Sequence, residues 1–327
     1  MRLPTVDAWN VTVQQAITPT LSLQAGYVAN KGTHGFAGDG ANYDANQPSI
    51  AGFGTLTTDE RRPFFRKFGW TQRINYFGND ASDNYHSLQV VVEKRFTKGY
   101  QFLAHYTWSK ALTYDTDYYA IDPSVNYGLA NTDRKHVFVL TNLLDLPFGK
   151  GKTFLGNISG IADRIVGGWS LDATTSWESG LPFSPFYLNC GADRDTGPCR
   201  PNLVGAVQIT GSRNNYFTTT GGVPLQFNGD TIGPWQRPAL GTFGNAARNS
   251  LRGPRFFQSD LSVAKSMALR ESISLQVRAD IFNLFNKVNL DNPQTCVDCQ
   301  TGGSIVNTAF SGSAVQRQIM FSLRVQF

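Results

Sequence analysis

Long antiparallel strands built to cross a bilayer as a β-barrel are the fold class this sequence predicts, and three observations predict it. The first is the stretch from Arg317 to Phe327, R-Q-I-M-F-S-L-R-V-Q-F, which alternates without a break. Ile319, Phe321, Leu323, Val325 and Phe327 fall on one side; Gln318, Met320, Ser322, Arg324 and Gln326 fall on the other. Successive side chains of a strand point to opposite faces, so this segment has one oily face and one mostly polar face. The second is the recurrence of that pattern along the chain in runs of about 9–13 residues, the length of a tilted spanning strand rather than a globular one. The third is a two-sided asymmetry of connections, short turns alternating with long loops, as in outer-membrane barrels.

The elements follow in order. Trp9, Val11, Val13 and Ile17 alternate with Asn10, Thr12, Gln14 and Ala16. After Thr18-Pro19, Leu21, Leu23, Ala25 and Tyr27 alternate with Ser22, Gln24 and Gly26. Ile74 and Tyr76 mark a weaker strand near 68–78. Leu88, Val90, Val92 and Phe96 oppose Gln89, Glu93 and Arg95; Tyr100, Phe102, Ala104, Tyr106 and Trp108 oppose Gln101, His105, Thr107 and Ser109. Phe138, Leu140, Leu144 and Leu146 lead into a turn at Pro147-Phe148-Gly149. Trp169, Leu171, Ala173, Thr175 and Trp177 oppose Ser170, Asp172, Thr174, Ser176 and Glu178. Phe257, Leu261 and Val263, then Ile273, Leu275, Val277, Ala279 and Ile281, continue the pattern to the closing strand.

Thr97-Lys98-Gly99 and Met267–Glu271 read as short turns, whereas 113–133, 183–255 and 290–316 read as long loops. With the last strand descending to the periplasm, the short turns are periplasmic and the long loops extracellular. Parity then asks for one further strand between residues 30 and 68, within 36–60. The count is about ten or eleven strands. An open half-sheet leaves edge groups unpaired in lipid, so these strands either close as a small barrel or belong to a larger one. The opening M-R-L-P-T-V-D-A-W-N lacks the apolar run of a secretion signal, which favours a carboxy-terminal part of a longer protein.

Composition agrees. The mean hydropathy of -0.26 and 16% charged residues exclude a helical membrane protein, and no run of about twenty apolar residues occurs. Barrel strands escape such a scan because only alternate residues meet lipid. The net charge of +5 is spread out, with Arg61-Arg62 and Arg66-Lys67 its densest points, so nucleic-acid binding is a poor reading. The four cysteines form two local pairs, Cys190 with Cys199 and Cys296 with Cys299. Loop disulfides and a single zinc site using all four thiolates compete; only the second pair has C-x-x-C spacing, and disulfides are the better reading.

Several segments resemble the TonB-dependent transporter superfamily, in its Oar-like branch with a carboxypeptidase-regulatory-like domain. They are W-N-V-T-V-Q-Q-A-I-T-P (9–19), G-Y-V-A-N-K-G-T-H (26–34), N-Y-H-S-L-Q-V-V-V-E-K-R-F-T-K-G (84–99) and Y-T-W-S-K-A-L (106–112). D-R-K-H-V-F-V-L (133–140), L-P-F-G-K-G-K (146–152), G-G-W-S-L (167–171), R-N-S-L-R-G-P-R-F-F-Q-S-D-L-S (248–262) and F-N-L-F-N-K-V-N (282–289) follow in order. The resemblance implies a barrel of about 22 strands in the cell outer membrane, plugged by an amino-terminal domain and importing scarce solutes. Residues 1–327 then form roughly the carboxy-terminal half of that barrel, without the plug or the regulatory-like domain. The expected partners are outer-membrane lipid and lipopolysaccharide, the barrel-assembly machinery, and the TonB complex only through the plug.

On that reading Phe321, Leu323, Val325 and Phe327 form the assembly signal. Glu93, Arg95, Arg278, Asp280 and Arg324 face the lumen, where they either meet a plug or line a solvated wall. Arg248, Asn249 and Arg252 form a polar cluster that reads equally as a rim or plug contact and as a Gly-Pro turn. The loop 183–255 is the candidate for ligand capture. An enzyme is not expected, and neither is a cofactor. His34, His86, His105 and His136 belong to no H-E-x-x-H, and no G-x-S-x-G or Walker sequence occurs. His105 and Ser109 share a face, but i and i+4 of a strand lie about 13 Å apart. An outer-membrane hydrolase and a soluble all-β binding protein are the alternatives; the latter would bury the faces of Tyr100–Trp108 and Trp169–Trp177.

Overall fold

A computed structural model describes residues 2–35, 43–76, 78–114, 122–188, 198–226, 231–239, 241–270, 273–309 and 316–327. Nine long strands run through it: β1 Thr5–Thr18, β2 Leu21–Gly35, β3 Ala81–Thr97, β4 Tyr100–Thr113, β5 His136–Asp145, β6 Trp169–Glu178, β7 Phe256–Arg270, β8 Ile273–Phe282 and β9 Gln318–Gln326. Each pairs antiparallel with the next, and the short piece Gly128–Leu129 adds to β4. The sheet is a plain meander and is not closed. β1 and β9 each have one neighbour in it, and every residue of both is exposed.

The register turns the sequence alternation into two faces. Val11, Tyr27, Leu88 and Trp108 lie side by side across four strands; Val13, Ala25, Val90, Tyr106, Phe138, Trp177 and Phe257 form the next row. Between them runs a row of the other face with Thr12, Gly26, Gln89, Thr107, Val137 and Glu178. Trp108, Phe321 and Leu323 are more than half exposed, so the apolar face is not covered by protein at these positions. The turn between β3 and β4 puts Lys98 at φ 52 and Gly99 at φ 80, both left-handed, which is the two-residue geometry that matches strand twist.

Among the described residues, neither of two expected strands is a spanning one. Residues 36–42 lie outside the described residues, and 43–60 do not span: Tyr43–Asp44 pairs only with Asn75–Tyr76, and the rest is turn. Here Pro48, Gly52 and Gly54 break any alternation, and polar ties replace a ladder. Asp44 Oδ1 accepts from the Asn46 and Ile74 backbone N–H groups at 2.8 and 2.9 Å, and Arg62 pairs with Asp44 at 3.2 Å. Near 68–78 the short helix α1, Phe65–Phe68, ends on left-handed Gly69, and an alternation this short builds no spanning strand. Removing both strands leaves the parity intact, so nine long strands replace the expected ten or eleven.

Connections 36–80, 114–135, 179–255 and 283–317 share one rim; 19–20, 98–99, 146–168 and 271–272 share the other, with Phe327. Glu271, the end of one expected short turn, lies outside the described residues. The expected short turn at Pro147–Gly149 is instead the start of a longer connection, 146–168, with its own helix α2, Ile161–Val166.

The hydrophobic core sits in the loops, not on the sheet. Phe183, Tyr187, Tyr216, Phe217, Leu225, Trp235, Val297 and Ile305 pack together, Phe217 and Trp235 with no exposed surface. They come from the connections 179–255 and 283–317, which therefore fold as one cap.

Candidate functional site

The candidate residues lie on the polar face of the sheet, on its apolar face, in the loop cap and at the rims. On the polar face, Glu93 lies opposite Ser22 and Leu103, and Arg324 opposite Gln276. Arg278 Nε donates to Asp280 Oδ1 at 2.7 Å, its Nη2 donates to Ser262 Oγ at 2.9 Å, and Ser262 also bonds Asp280. Arg95, two residues beyond Glu93, sits beside the short-turn rim, its backbone N–H on Thr20 O at 2.8 Å. The five residues are not one cluster: Glu93 and Arg95 are on β3, whereas Arg278, Asp280 and Arg324 are on β8 and β9. Asp172, which the sequence did not single out, joins this face opposite Ser262, with its Oδ1 buried and unbonded among the described residues.

Several polar groups on the apolar face are satisfied locally, as lipid favours. Lys94 Nζ donates to Thr97 Oγ1 and Tyr100 O, both at 2.9 Å; Tyr100 Oη donates to Asn142 Oδ1 at 2.9 Å; Thr175 and Ser259 share a bond of 2.9 Å. Lys265, also on this face opposite Trp169 and Val277, donates to the carbonyls of Ile165 and Gly167.

In the cap, Arg248, Asn249 and Arg252 are hydrogen-bonded from several directions. Arg248 Nη1 donates to Thr113 O at 2.8 Å and to Asn126 O at 3.4 Å, tying the cap to the end of β4. Asn249 takes a left-handed φ of 53 and donates through Nδ2 to Leu129 O at 2.7 Å and Asn131 Oδ1 at 2.8 Å. Arg252 pairs with Asp133, whose side chain is 1% exposed, and donates to Gly180 O at 3.2 Å. These side chains stitch the connection 179–255 to 114–135. Burial pushes the phenols of Tyr187 and Tyr216 up from the ordinary 10.0, and Arg237 beside Tyr187 opposes part of that shift. Burial also lowers the Arg134 guanidinium, against the pull of Glu178 at 3.2 Å.

Cys296 and Cys299 are disulfide-bonded with Cα atoms 5.5 Å apart, so their sulfurs are not free thiolates for a metal. Cys199 is also in a disulfide, and Cys190 lies outside the described residues. The Cys296–Cys299 turn carries Asp298, which accepts from the backbone of Leu188 at 2.8 Å and of Leu225 at 3.2 Å. His105 and Ser109 make no catalytic pair: Ser109 Oγ donates to Arg134 O at 2.9 Å, and the two residues lie four apart on one strand.

The long-loop rim carries an aromatic belt joined by histidines, whose pairings the sequence does not show. Tyr27 Oη and His86 Nδ1 share a hydrogen bond of 2.7 Å, Tyr106 Oη and His136 Nδ1 one of 2.8 Å, and Trp9 lies edge-on to His86. Arg255 lies over Trp177 and Lys287 over Phe257. A cavity of about 500 Å³ opens there, lined by Tyr27, His86, Leu88, Trp108, Lys110 and Arg252 among others. Pairing His86 with Trp9 and Lys110 across strands needs the register, which the alternation alone does not supply.

Residues 1–320 match the outer membrane beta barrel domain family. No curated protein matches the chain. Among solved structures it is similar to the ferric-catecholate import receptor Fiu from K12 E. coli in its closed form, at 9% identity and a TM-score of 0.44, over 99% of this chain and 27% of that one. It is also similar to the ferric citrate transporter FecA in the unliganded form, at 12% identity and a TM-score of 0.44, over 98% of this chain and 31% of that one. The chain thus spans about a quarter to a third of the length of these structures. An antiparallel meander with one apolar and one polar face, short turns on one rim and a folded cap on the other, agrees with that family match: the chain belongs to the outer membrane β-barrel domain family, and its place is the outer membrane.

Proposed function

We propose that this chain is barrel wall of an Oar-like TonB-dependent transporter that takes up a scarce solute across the outer membrane without chemical change. The observation that carries the reading is the ordered series of Oar-like segments, which coincides with structural junctions. N-Y-H-S-L-Q-V-V-V-E-K-R-F-T-K-G is β3 and its hairpin turn; G-G-W-S-L opens β6; R-N-S-L-R-G-P is the stitching cluster that leads into β7. In F-N-L-F-N-K-V-N, Asn283 and Asn286 take left-handed φ values of 52 and 50 at the exit of β8. Asn289 bonds the Phe257 backbone through both amide atoms at 2.9 and 3.0 Å.

Two unpaired edges cannot sit in lipid, so the whole barrel has further strands against β1 and β9. The polar face then lines a lumen, and Glu93, Arg95, Arg278, Asp280, Arg324 and Asp172 are the groups a plug would meet. The Arg278–Asp280 pair is satisfied within the wall, which leaves Glu93, Arg95, Arg324 and Asp172 as the better plug contacts. The cap holds its loops for solute capture, with Arg248, Asn249 and Arg252 positioning it. The rim belt with Lys110 faces outer-leaflet lipid and lipopolysaccharide, and the β9 face of Phe321, Leu323, Val325 and Phe327 is read by the barrel-assembly machinery.

The test is uptake of labelled siderophores, cobalamin, glycans and peptides by cells with and without the gene, each with and without a protonophore. The reading expects one solute whose uptake needs both the gene and the proton gradient. Gene-dependent uptake that ignores the protonophore would reduce the protein to a passive pore.

A further inference from the structure

The connection 146–168 is more apolar on its surface than a water-facing turn needs to be. Phe154, Leu155, Ile161 and Ile165 are all more than half exposed, Ile161 at 76%. They are bounded by exposed Lys150, Lys152 and Arg164. The acidic Asp163 is turned inward, its Oδ1 accepting from the Lys150 backbone N–H at 2.6 Å. The connection is well formed: Phe148 and Phe154 rings meet at 5.6 Å, and Phe154 N–H bonds Pro147 O at 2.9 Å.

Its seat is what identifies its partner. Trp169 Nε1 donates to Ile165 O at 3.0 Å, and Lys265 Nζ donates to the same carbonyl at 3.1 Å and to Gly167 O. Trp169 and Lys265 are neighbours on the apolar face of the sheet, in the row that continues to Val277 and Leu323. The last turn of α2 is therefore fastened over the face that meets lipid. Gly168, at φ 73, permits the approach, because a Cβ there would lie 2.2 Å from Ser266 O. A cation on a lipid-facing strand is tolerated near the interface when its head finds acceptors, and α2 supplies them.

We propose that the connection 146–168 is an interfacial anchor, its apolar residues seated among the headgroups and upper acyl chains of the bilayer the barrel crosses. Lys150, Lys152 and Arg164 meet the anionic phospholipid headgroups, as basic residues flanking an apolar interfacial patch do. The leaflet is the periplasmic one, a point that rests on the barrel orientation proposed above.

Single cysteines at Leu155 and Ile161, spin-labelled in the whole protein folded into phosphatidylethanolamine–phosphatidylglycerol vesicles, test this. Cys199, Cys296 and Cys299 are disulfide-bonded and do not compete for label. Label at Asn214 in the cap serves as the aqueous reference and label at Val277 as the lipid reference. Labels at 155 and 161 are expected to relax with oxygen more than with a water-soluble nickel chelate, at values between the two references. Values equal to those at Asn214 would put the turn in water and overturn the anchor. Labels shielded from both reagents would put it against protein and overturn it equally. A Val277 label that failed to see lipid would instead sink the barrel reading itself.

Discussion

At the scale of residues, alternation carries most of the information because a strand has only two faces. Leu323 lies opposite Val277 on the apolar face, and Arg324 opposite Gln276 on the polar one. Leu323→Arg is expected to destabilise the folded barrel by roughly 2 kcal/mol, the low end for lipid-facing arginine, since its row includes interfacial Lys265; Arg324→Leu is expected to be tolerated. Equilibrium folding titrations in lipid vesicles decide it, and the reverse order of effects would exchange the two faces. Arg252→Ala acts differently, because it leaves the buried Asp133 carboxylate without its cation. Orphaning a buried charge costs about 3 kcal/mol, so protease cleavage within 179–255 should quicken by about a hundredfold. Unchanged cleavage would make the cluster an ordinary turn. Its multiple bonding was not legible in the sequence, because Asp133, Asn131 and Gly180 are distant along the chain.

At the scale of elements, the strands were legible and the long loops were not. A strand is specified by its own side chains facing lipid or lumen, so its pattern is local. The loop 183–255 reads as Gly-, Asn- and Pro-rich chain, yet it buries Phe217, Leu225 and Trp235 against Val297 and Ile305 of another connection. No periodicity announces such a core. Its buried tyrosines make the cap sensitive to alkali. Tyr187 and Tyr216 ionise above the ordinary 10.0 when folded, because burial disfavours the phenolate. Their stabilisation is complete below the unfolded value and is lost as the pH rises through the folded one. Cap protection against protease should hold through the ordinary phenol value of 10.0 and fall as the pH rises beyond it, with phenolate absorbance rising in step. Buried tyrosines that titrated with the ordinary midpoint of 10.0 while the cap stayed intact would contradict their burial.

At the scale of the whole molecule, the decisive fact is that nine long strands in a row leave two free edges. On the proposed reading, further strands cover both. Cysteines placed in β1 and β9 of the whole protein should not cross-link on oxidation; efficient cross-linking would mean the nine strands close on themselves. The sequence by itself determined the all-β class, the two faces and the rim asymmetry, because alternation and turn residues are local consequences of strand geometry and of a solvent that differs on the two sides. It expected strands at 68–78, where alternation lasts only a few residues, and within 36–60, where parity asked for one; among the described residues neither stretch spans. Only the tertiary structure decided that the core lies in the cap, that Arg248, Asn249 and Arg252 are stitches, and that α2 is tied to the apolar face. Each of those depends on residues brought together from distant parts of the chain, and pairing across such distances is set by packing and hydrogen-bond satisfaction rather than by any local pattern.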